Sequence, residues 1–307
     1  MRLASYNVRY FGHGLKGLAS TVRSKLRIAE ALARLDPLPE LVALQEVETR
    51  SLRADLVHRP KHADETQLDS FLELLSEAFH RRGLVMPYRA YYYPAHTYGV
   101  GSFRLYTTGL AILVNAQMLN VLGGNGEKPH DITWVASRRL KRVKQTRIAA
   151  HLHLEDQRQR RFHLFNTHLS LPSFWAREFW SQPQKMGHGA NQLAEARAVA
   201  QFAEVTSKGE PYLLAGDFNT APSTPVYEQL TRQEKLVGAQ EVLKQIDLRQ
   251  PDAFSTAGFM HLRMHLDHVF GRGVEFTELD DTRSFGDVQN RFSGLSDHVP
   301  IVAGFDV

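Results

Sequence analysis

The sequence predicts an α/β protein (α+β in layout) in which two mixed β-sheets pack face to face with helices outside them. Helical segments alternate with apolar strands early in the chain, and closely spaced strands follow in the middle. This combination favours mixed sheets over purely parallel ones. No repeat, low-complexity tract or long linker interrupts the 307 residues, so we expect a single domain over residues 1–307.

The helices are predicted from apolar residues at helical spacing and from signals at their ends. The main segments are residues 21–35, 66–83 and 191–205. In the second, Thr66 and Asp69 have capping-box spacing and Gly83 marks the end. Thr224 followed by Pro225 predicts a further helix, with an N-cap residue before a proline in the first turn.

The strands are predicted from short apolar runs bounded by turn residues. They read MRLASYNVRY, LVALQEV, YRAYYYP, TGLAILV, TRIAAHLHL, RFHLFNTHL, YLLAGDFN, LDHVF and VPIVAGF. YLLAGDFN lies between Pro211 and Pro222, which indicates an interior strand that ends before Asp217 and Asn219.

Bulk composition limits the class of protein. Hydrophobic content of 43% and charged content of 23% are typical of a soluble globular protein. A net charge of +4 suits an anionic partner such as nucleic acid or a phospholipid head group. The absence of cysteine excludes disulfides, thiolate metal ligands and a cysteine nucleophile. No signal-peptide core or stretch of about 18 apolar residues is present, so we expect a cytoplasmic protein.

Polar side chains recur where the predicted strands end. They are Asn7, Glu46, Asn166, His168, Asp217, Asn219, Asp267, His268, Asp297 and His298. Each of these residues taken alone also fits a purely structural role, such as capping a turn or packing as a histidine in the core. Burying so many polar groups costs several kcal/mol unless they satisfy each other or bind a ligand. The pattern therefore predicts one shared pocket.

The ordered series SYNVR, LQEV, NTHL, GDFN, LDHV and SDHVP resembles the endonuclease/exonuclease/phosphatase (DNase I-like) superfamily. The match extends from Asn7 to His298. The resemblance implies a four-layer α/β sandwich and Mg²⁺-dependent cleavage of phosphate esters, with Mn²⁺ as a substitute metal. It also places the GDFN motif at the catalytic centre.

Metal-binding roles follow from this resemblance and from the preference of Mg²⁺ for oxygen ligands. Glu46 is the expected ligand, Asn7 lies beside it, and Asp297 contacts the metal through water. Catalytic roles fall to a second set, comprising His168, Asp217, Asn219, Asp267 and His298. We expect Asp267 to orient His298, and we expect Asp217 with Asn219 to position the attacking water.

His168, together with Asn7 and the metal, is expected to stabilise charge on the phosphorus. Whether Asp217 or His298 accepts the proton stays open. His268 is interpreted as structural. His151, His153 and His163 alternate along strands, and we interpret them as packing or surface groups rather than ligands.

Three residues are predicted to bind substrate. Arg9 lies in SYNVRYFG, which resembles the opening of DNase I, although Glu48 stands where those enzymes carry an arginine. Arg142 lies in the basic run SRRLKRVKQTR, and Trp175 lies in the aromatic segment SFWAREFW. Alternatively, the basic run is a solvent-exposed strand pair, and the aromatic segment is a helix face that covers the core. Either segment suits nucleic acid or an anionic membrane.

Three functional hypotheses follow. The first is a phosphodiesterase that acts on nucleic acid, most simply an endonuclease. The second is a phosphoesterase for a lipid or small molecule, similar to sphingomyelinases or inositol phosphatases. The third is a binding protein without activity, which the retention of Glu46 and His298 disfavours. No obligate protein partner is indicated.

Overall fold

The protein folds into two mixed β-sheets that stack between two layers of helices. The computed structural model describes residues 1–11, 22–51, 67–100, 103–126, 128–134, 146–172, 186–247, 254–259, 262–279 and 282–307. The expected four-layer α/β sandwich is confirmed. None of the helices in these ranges is both long and apolar enough to cross a lipid bilayer.

The first sheet has six strands. In spatial order they are β14 (Glu275–Glu278), β15 (Ile301–Asp306), β1 (Arg2–Asn7), β2 (Leu41–Ser51), β4 (Phe103–Asn115) and β3 (Tyr88–Val100). β1 and β2 run parallel, whereas the other neighbours are antiparallel.

The second sheet also combines parallel and antiparallel neighbours. In spatial order its strands are β10 (Val237–Gly238), β13 (Asp267–Arg272), β9 (Tyr212–Asp217), β8 (Arg161–His168), β7 (Ile148–Asp156) and β5 (Leu119–Gly124), with β6 (His130–Asp131) also beside β7. Only β8 and β9 run parallel among these paired strands of the described chain. A separate hairpin joins β11 (Ala257–Phe259) and β12 (Leu262–Met264).

Helices cover the outer face of each sheet. They are α1 (Val22–Ala33), α2 (Gln67–His80), α3 (Ala190–Ser207) and the short α4 (Pro225–Glu228) with a π-helical turn at Gln229–Gln233. The short α5 (Ala239–Val242) instead packs Ala239 against the layer between the sheets. A short turn at Arg9–Phe11, in which all three residues have positive φ, follows β1. α1 and α2 lie on the first sheet, and α3 lies on the second.

Three apolar layers hold the sandwich together. Between the first sheet and its helices, Phe11 stacks on Phe71 with ring centroids 4.6 Å apart. Residues from both sheets form the central layer, where Leu3 and Leu213 are fully buried. The third layer lies under α3 and includes Phe165. The central layer brings the ends of strands from both sheets together at one end of the molecule.

One predicted helix start forms differently from expectation. Thr224 is the N-cap residue of α4 and Pro225 follows it, but the hydroxyl of Thr224 makes no capping hydrogen bond to the helix. It donates instead to the carbonyl of Ala221 at 2.7 Å. The α-helical part that follows has only four residues. Thr66, the other predicted cap, lies outside the described residues.

Candidate active site

Three neighbouring strands of the second sheet carry polar side chains at the same edge of the sheet, where β8 and β9 end and β13 begins. In the strand register, Asp217 on β9 stands directly opposite His168 on β8 and Asp267 on β13. Asn7 ends β1 in the facing sheet, and all but His168 of these residues are buried. The common register explains why a buried strand ends in polar residues, because each contributes to one site.

The glycine before Asp217 allows β8 and β9 to approach each other there. Gly216 has a φ of +149°, which side chains rarely tolerate, and an added Cβ would collide with the carbonyl oxygen of Thr167 on β8. Glycine is the residue type that permits such a conformation and such a close backbone approach. The close approach at Gly216 therefore places the Asp217 carboxylate close to β8.

Glu46 reaches the site from a β-bulge in β2. The pairing register of β2 with β4 shifts between Leu44 and Val47, and Glu46 has a φ of +54°. A bulge redirects a side chain out of the regular alternation, and a non-glycine residue at positive φ is costly. Strain of this kind is concentrated at functional sites.

The Asn7 amide connects carboxylates from both sheets. Its Nδ2 donates to Glu46 Oε1 at 3.2 Å and to Asp217 Oδ2 at 3.0 Å. Its Oδ1 accepts from the backbone N–H of Arg9 at 2.9 Å, which fixes the orientation of the amide. Asn7 thus holds two acidic groups close together at the junction of the sheets.

His298 forms a buried pair with Asp267. Its Nδ1 donates to Asp267 Oδ2 at 2.8 Å, which leaves Nε2 facing Asp217 Oδ2 at 3.7 Å. Ser296 shapes the turn before the histidine, because its hydroxyl donates to the carbonyl of Asn7 at 2.9 Å. The hydrogen bond to Asp267 thus fixes the orientation of the His298 ring.

Asn219 and His168 form a second pair on the other side of Asp217. The Asn219 amide donates to the carbonyl of Leu169 at 2.9 Å and lies 3.3 Å from His168 Nε2. The same imidazole nitrogen lies 3.5 Å from Asp217 Oδ2. The backbone N–H of Asn219 donates to Asp217 Oδ1 at 2.9 Å. Asp217 is therefore held between two histidines and two asparagines.

Arg9 and Asp297, predicted as separate substrate and metal contacts, pair with each other. Arg9 Nη1 lies 2.5 Å from Asp297 Oδ2. Both side chains remain partly exposed, at 31% and 22%. The ion pair anchors the guanidinium at the rim of the site and occupies one oxygen of Asp297.

The electrostatics of the site follow from burial and from its close carboxylates. Burial raises the pKa of Asp217, and the neighbouring Asp267 charge adds to this effect. Burial and the Asp297 charge likewise raise the pKa of Glu46. Burial alone would lower the pKa of His298, but Asp267 and Asp217 outweigh it and raise that pKa to about 10.

His168 differs from His298 in charge. Burial lowers the pKa of His168 well below its usual range, and the positive charges of Arg147 and His298 add to the effect. At neutral pH the site therefore combines an uncharged imidazole at His168 with a protonated one at His298.

The donor set fits a divalent cation. Two groups at this site have ligand atoms that all lie within 4.8 Å of one another: Glu46 with His168 and Asp217, and Asp217 with Asp267 and His298. Carboxylate oxygens at Glu46 and Asp217 suit Mg²⁺. The imidazole of His168 is a softer donor, which Mn²⁺ accepts more readily than Mg²⁺.

The sequence prediction missed Arg147 as a site residue. Arg147 lines the same pocket as Glu46 and His168. Its Nε donates to the Ser170 hydroxyl at 3.3 Å, and buried Glu195 on α3 accepts from that hydroxyl at 2.8 Å. Arg147 ends the basic run of residues 137–147. The sequence indicates that this run can bind phosphate, but the residue predicted from it is Arg142.

Other predicted residues lie elsewhere. Arg142 and Trp175 are outside the described residues. Asn166 is buried between the sheets rather than in the site, where it accepts from Gln45 Nε2 at 2.8 Å. His268 is buried and donates to the carbonyl of Thr220 at 2.8 Å, in agreement with a structural role.

The sandwich and the acidic, imidazole-containing site define a metal-dependent phosphoric ester hydrolase. A sequence profile described as the Endonuclease/Exonuclease/phosphatase family matches residues 4–298, and the chain belongs to that family. No curated protein sequence matches the chain significantly.

Solved structures share the fold at low sequence identity. The catalytic domain of human Nocturnin, determined with bound sulfate, is 18% identical with a TM-score of 0.63, over 100% of this chain and 93% of that one. A mannosyl-6-phosphatase from Bacteroides thetaiotaomicron is 14% identical with a TM-score of 0.60, over 100% of both chains. ANGEL2, described as a 2',3'-cyclic phosphatase, is 15% identical with a TM-score of 0.63, over 99% and 94%.

Proposed function

We propose that this hydrolase is a Mg²⁺-dependent phosphodiesterase that cleaves nucleic acid as an endonuclease. The observation that carries the proposal is the Asn7 amide, which holds Glu46 of one sheet and Asp217 of the other within 3.2 Å and 3.0 Å. Arg9 and Arg147 lie around these carboxylates. The site therefore offers acidic ligands for a cation and guanidinium groups for phosphate oxygens.

Glu46 would hold the Mg²⁺ ion, with Asn7 beside it and Asp297 contributing through water. The bound ion would supply positive charge where negative charge develops on the phosphate. The bulge at Glu46 supports this role, because it turns the carboxylate toward Asn7. Mn²⁺ would substitute because its oxygen preference is similar and it tolerates the nearby imidazole.

Asp217 would accept the proton from the attacking water. Its raised pKa makes it a stronger base than an exposed carboxylate, while its contacts with Asn7 and with the N–H of Asn219 fix its orientation. His298 is the weaker candidate for this step because its raised pKa keeps the imidazole protonated at neutral pH. The sequence left Asp217 and His298 as alternatives for this step, and these contacts and pKa shifts support Asp217.

His298 would act as a positively charged partner of the phosphate. Asp267 holds the imidazole through Nδ1, so that Nε2–H remains available to a phosphate oxygen. His168 would contribute an uncharged polar group whose position Asn219 maintains. The two imidazoles would contact the phosphate in different charge states. Burial and the positive charges of Arg147 and His298 lower the pKa of His168, whereas Asp267 and Asp217 raise that of His298.

Charge supports nucleic acid as the substrate. The chain carries a net charge of +4, and the basic run of residues 137–147 leads into Arg147 at the site. Arg9 adds a second guanidinium at the rim. A polyanionic backbone would contact several of these groups at once, whereas a small phosphate ester would contact few. Trp175 would add a surface for base stacking.

A second candidate is hydrolysis of a smaller phosphate ester or a phospholipid at an anionic membrane. Two of the structural relatives are named as phosphatases of a sugar phosphate and of a cyclic phosphate. The same carboxylates and imidazoles would serve such a substrate, so only the binding surface would differ.

The deciding experiment incubates purified protein with supercoiled plasmid, sphingomyelin or a chromogenic phosphodiester. Each substrate is tested with Mg²⁺, with EDTA and with the Glu46→Gln variant. Nicking that requires Mg²⁺ and is lost in the variant is the expected result. Cleavage should also fall steeply as salt increases, since phosphate contacts release counterions.

The alternatives have distinct outcomes. Intact plasmid with turnover of either other substrate would move the assignment to the second candidate. Absence of turnover on all three substrates would contradict the proposed activity, and equal nicking by Glu46→Gln would contradict the proposed metal ligand.

A further inference from the structure

A second cluster of titratable side chains lies away from the catalytic site. His153 on β7 and His163 on β8 stand opposite each other in the strand register, and Glu210 precedes β9. Glu210 Oε2 lies 2.8 Å from His153 Nε2 and 2.9 Å from His163 Nε2. Two imidazoles thus converge on one carboxylate oxygen.

Hydrogen bonding does not satisfy this cluster. His163 Nε2 donates to Glu210. His153 Nε2 lies 2.8 Å from Glu210 Oε2, but it makes no hydrogen bond to any described group and is shielded from solvent. Buried polar atoms without partners are uncommon in folded proteins. The convergence of two ring nitrogens and a carboxylate oxygen, one of them unsatisfied, points to an absent ligand.

We propose that His153, His163 and Glu210 form a binding site for a zinc ion, distinct from the catalytic centre. Two imidazoles and one carboxylate, with water as the fourth ligand, are a known donor set for Zn²⁺. The ligand atoms of the three residues all lie within 4.8 Å of one another. This assignment changes the interpretation of two histidines that the sequence predicted to be packing or surface groups.

Small movements would convert the cluster into a coordination site. Tetrahedral zinc with bonds of 2.0–2.1 Å separates its ligand atoms by about 3.3 Å, so the nitrogen–oxygen distances would lengthen by about half an ångström. The two rings are parallel within 3°, with centroids 4.3 Å apart, so one must turn to aim at a shared ion. His153 is 26% exposed and has a broad ring torsion, so it can turn.

His151 would orient the less mobile ligand. Its Nε2 lies 2.8 Å from His163 Nδ1. In the zinc-bound form, His163 would donate its Nδ1–H to His151 and keep the Nε2 lone pair for the ion, as metal-binding histidines commonly do. His151 is buried, and its tautomer protonated at Nδ1 would accept that hydrogen bond at Nε2. Stacking on Phe165 holds its ring.

The site is separate from the catalytic centre, and Glu210 lies at its surface edge. His163 and His168 are five residues apart on β8, which corresponds to roughly 16 Å along a strand. Glu210 is 37% exposed, which gives an ion an entry path. Bound zinc would tie β7 and β8 to the turn before β9.

The test measures Zn²⁺ binding to metal-free protein by calorimetry, with saturating Mg²⁺ present to occupy the catalytic centre. Co²⁺ absorption provides a second readout, because tetrahedral Co²⁺ gives a distinctive visible spectrum. The variants are His153→Ala and Glu210→Gln, which change partly exposed side chains. His80→Ala, at an exposed position at the end of α2, is the matched control.

We expect one Zn²⁺ per chain in the wild type and in His80→Ala, with affinity at least tenfold lower in His153→Ala and Glu210→Gln. Phosphodiester turnover measured without zinc should be unchanged in both variants. Equal affinity in the wild type and both variants, or no Zn²⁺ binding to the wild type, would overturn the proposal. Zinc binding lost in Glu46→Gln but retained in His153→Ala would place the ion in the catalytic centre instead.

Discussion

Replacing Asp267 by asparagine tests the buried carboxylate behind His298. The Asp267 side chain is 1% exposed and accepts the His298 Nδ1–H at 2.8 Å. A hydrogen bond between charged partners contributes about 1.5–3 kcal/mol. Asparagine keeps an acceptor oxygen but not the negative charge. Because about 1.4 kcal/mol corresponds to a tenfold change in rate, loss of this charge-assisted contribution predicts a decrease in kcat of roughly 10- to 150-fold.

A second effect of replacing Asp267 by asparagine would also lower kcat. The pKa of Asp217 is raised by burial and, to a smaller extent, by the charge of Asp267. The neutral asparagine would remove that charge, lower the pKa of Asp217 and make it a weaker proton acceptor. KM should change little, because Asp267 lies behind His298 and does not line the substrate side of the site.

The assay is steady-state hydrolysis of the chromogenic diester by wild type, Asp267→Asn and the control Asp287→Asn. Asp287 forms a surface ion pair with Arg283, and its replacement should leave kcat unchanged. Thermal melting establishes that each variant is folded. A kcat for folded Asp267→Asn within threefold of the wild type, or a change confined to KM, would refute the reasoning.

Three further predictions concern the strand packing and the rim. Gly216→Ala should lower the free energy of unfolding by about 2–4 kcal/mol, because the residue has a positive φ and the added Cβ would collide with β8. Urea unfolding measures this loss, and Gly123→Ala is the control because no atom lies within 4 Å of its added Cβ. Equal losses of stability in the two variants would contradict this prediction. Arg147→Ala should raise KM for plasmid about tenfold, as expected for a lost phosphate contact. A similar rise for the chromogenic diester would argue against a contact with an extended substrate. Asn166→Ala should cost about 3 kcal/mol in the same unfolding assay, since it removes three buried hydrogen bonds, one from Gln45 Nε2 and two to the carbonyls of Leu44 and Ala111. A loss below about 1 kcal/mol would show that water replaces these bonds.

The fold was predictable because its strands and helices carry clear local signals. The apolar run before Asp217 and the helical stripe of Phe71 and Leu75 need no tertiary information to be assigned. The site was predictable for a related reason. A polar residue at the end of a buried strand is costly unless it meets others, and Asn7, Asp217 and Asp267 do meet.

Other features depend on three-dimensional contacts that have no local signal. The positive φ of Glu46 comes from its bulge against β4, and the pairing of Arg9 with Asp297 joins opposite ends of the chain. Arg147 was one of several basic residues in its run, and only the sheet shows that it lies beside His168. The convergence of His153 and His163 likewise requires the strand register.

The most direct test of the catalytic proposal is Mg²⁺-dependent hydrolysis by purified His298→Ala. We predict a turnover at least 100-fold lower than that of the wild type with the fold retained, because the change removes the protonated imidazole that faces Asp217. Near-normal turnover by the folded variant would contradict the account, since the buried Asp267–His298 pair would then take no part in the reaction.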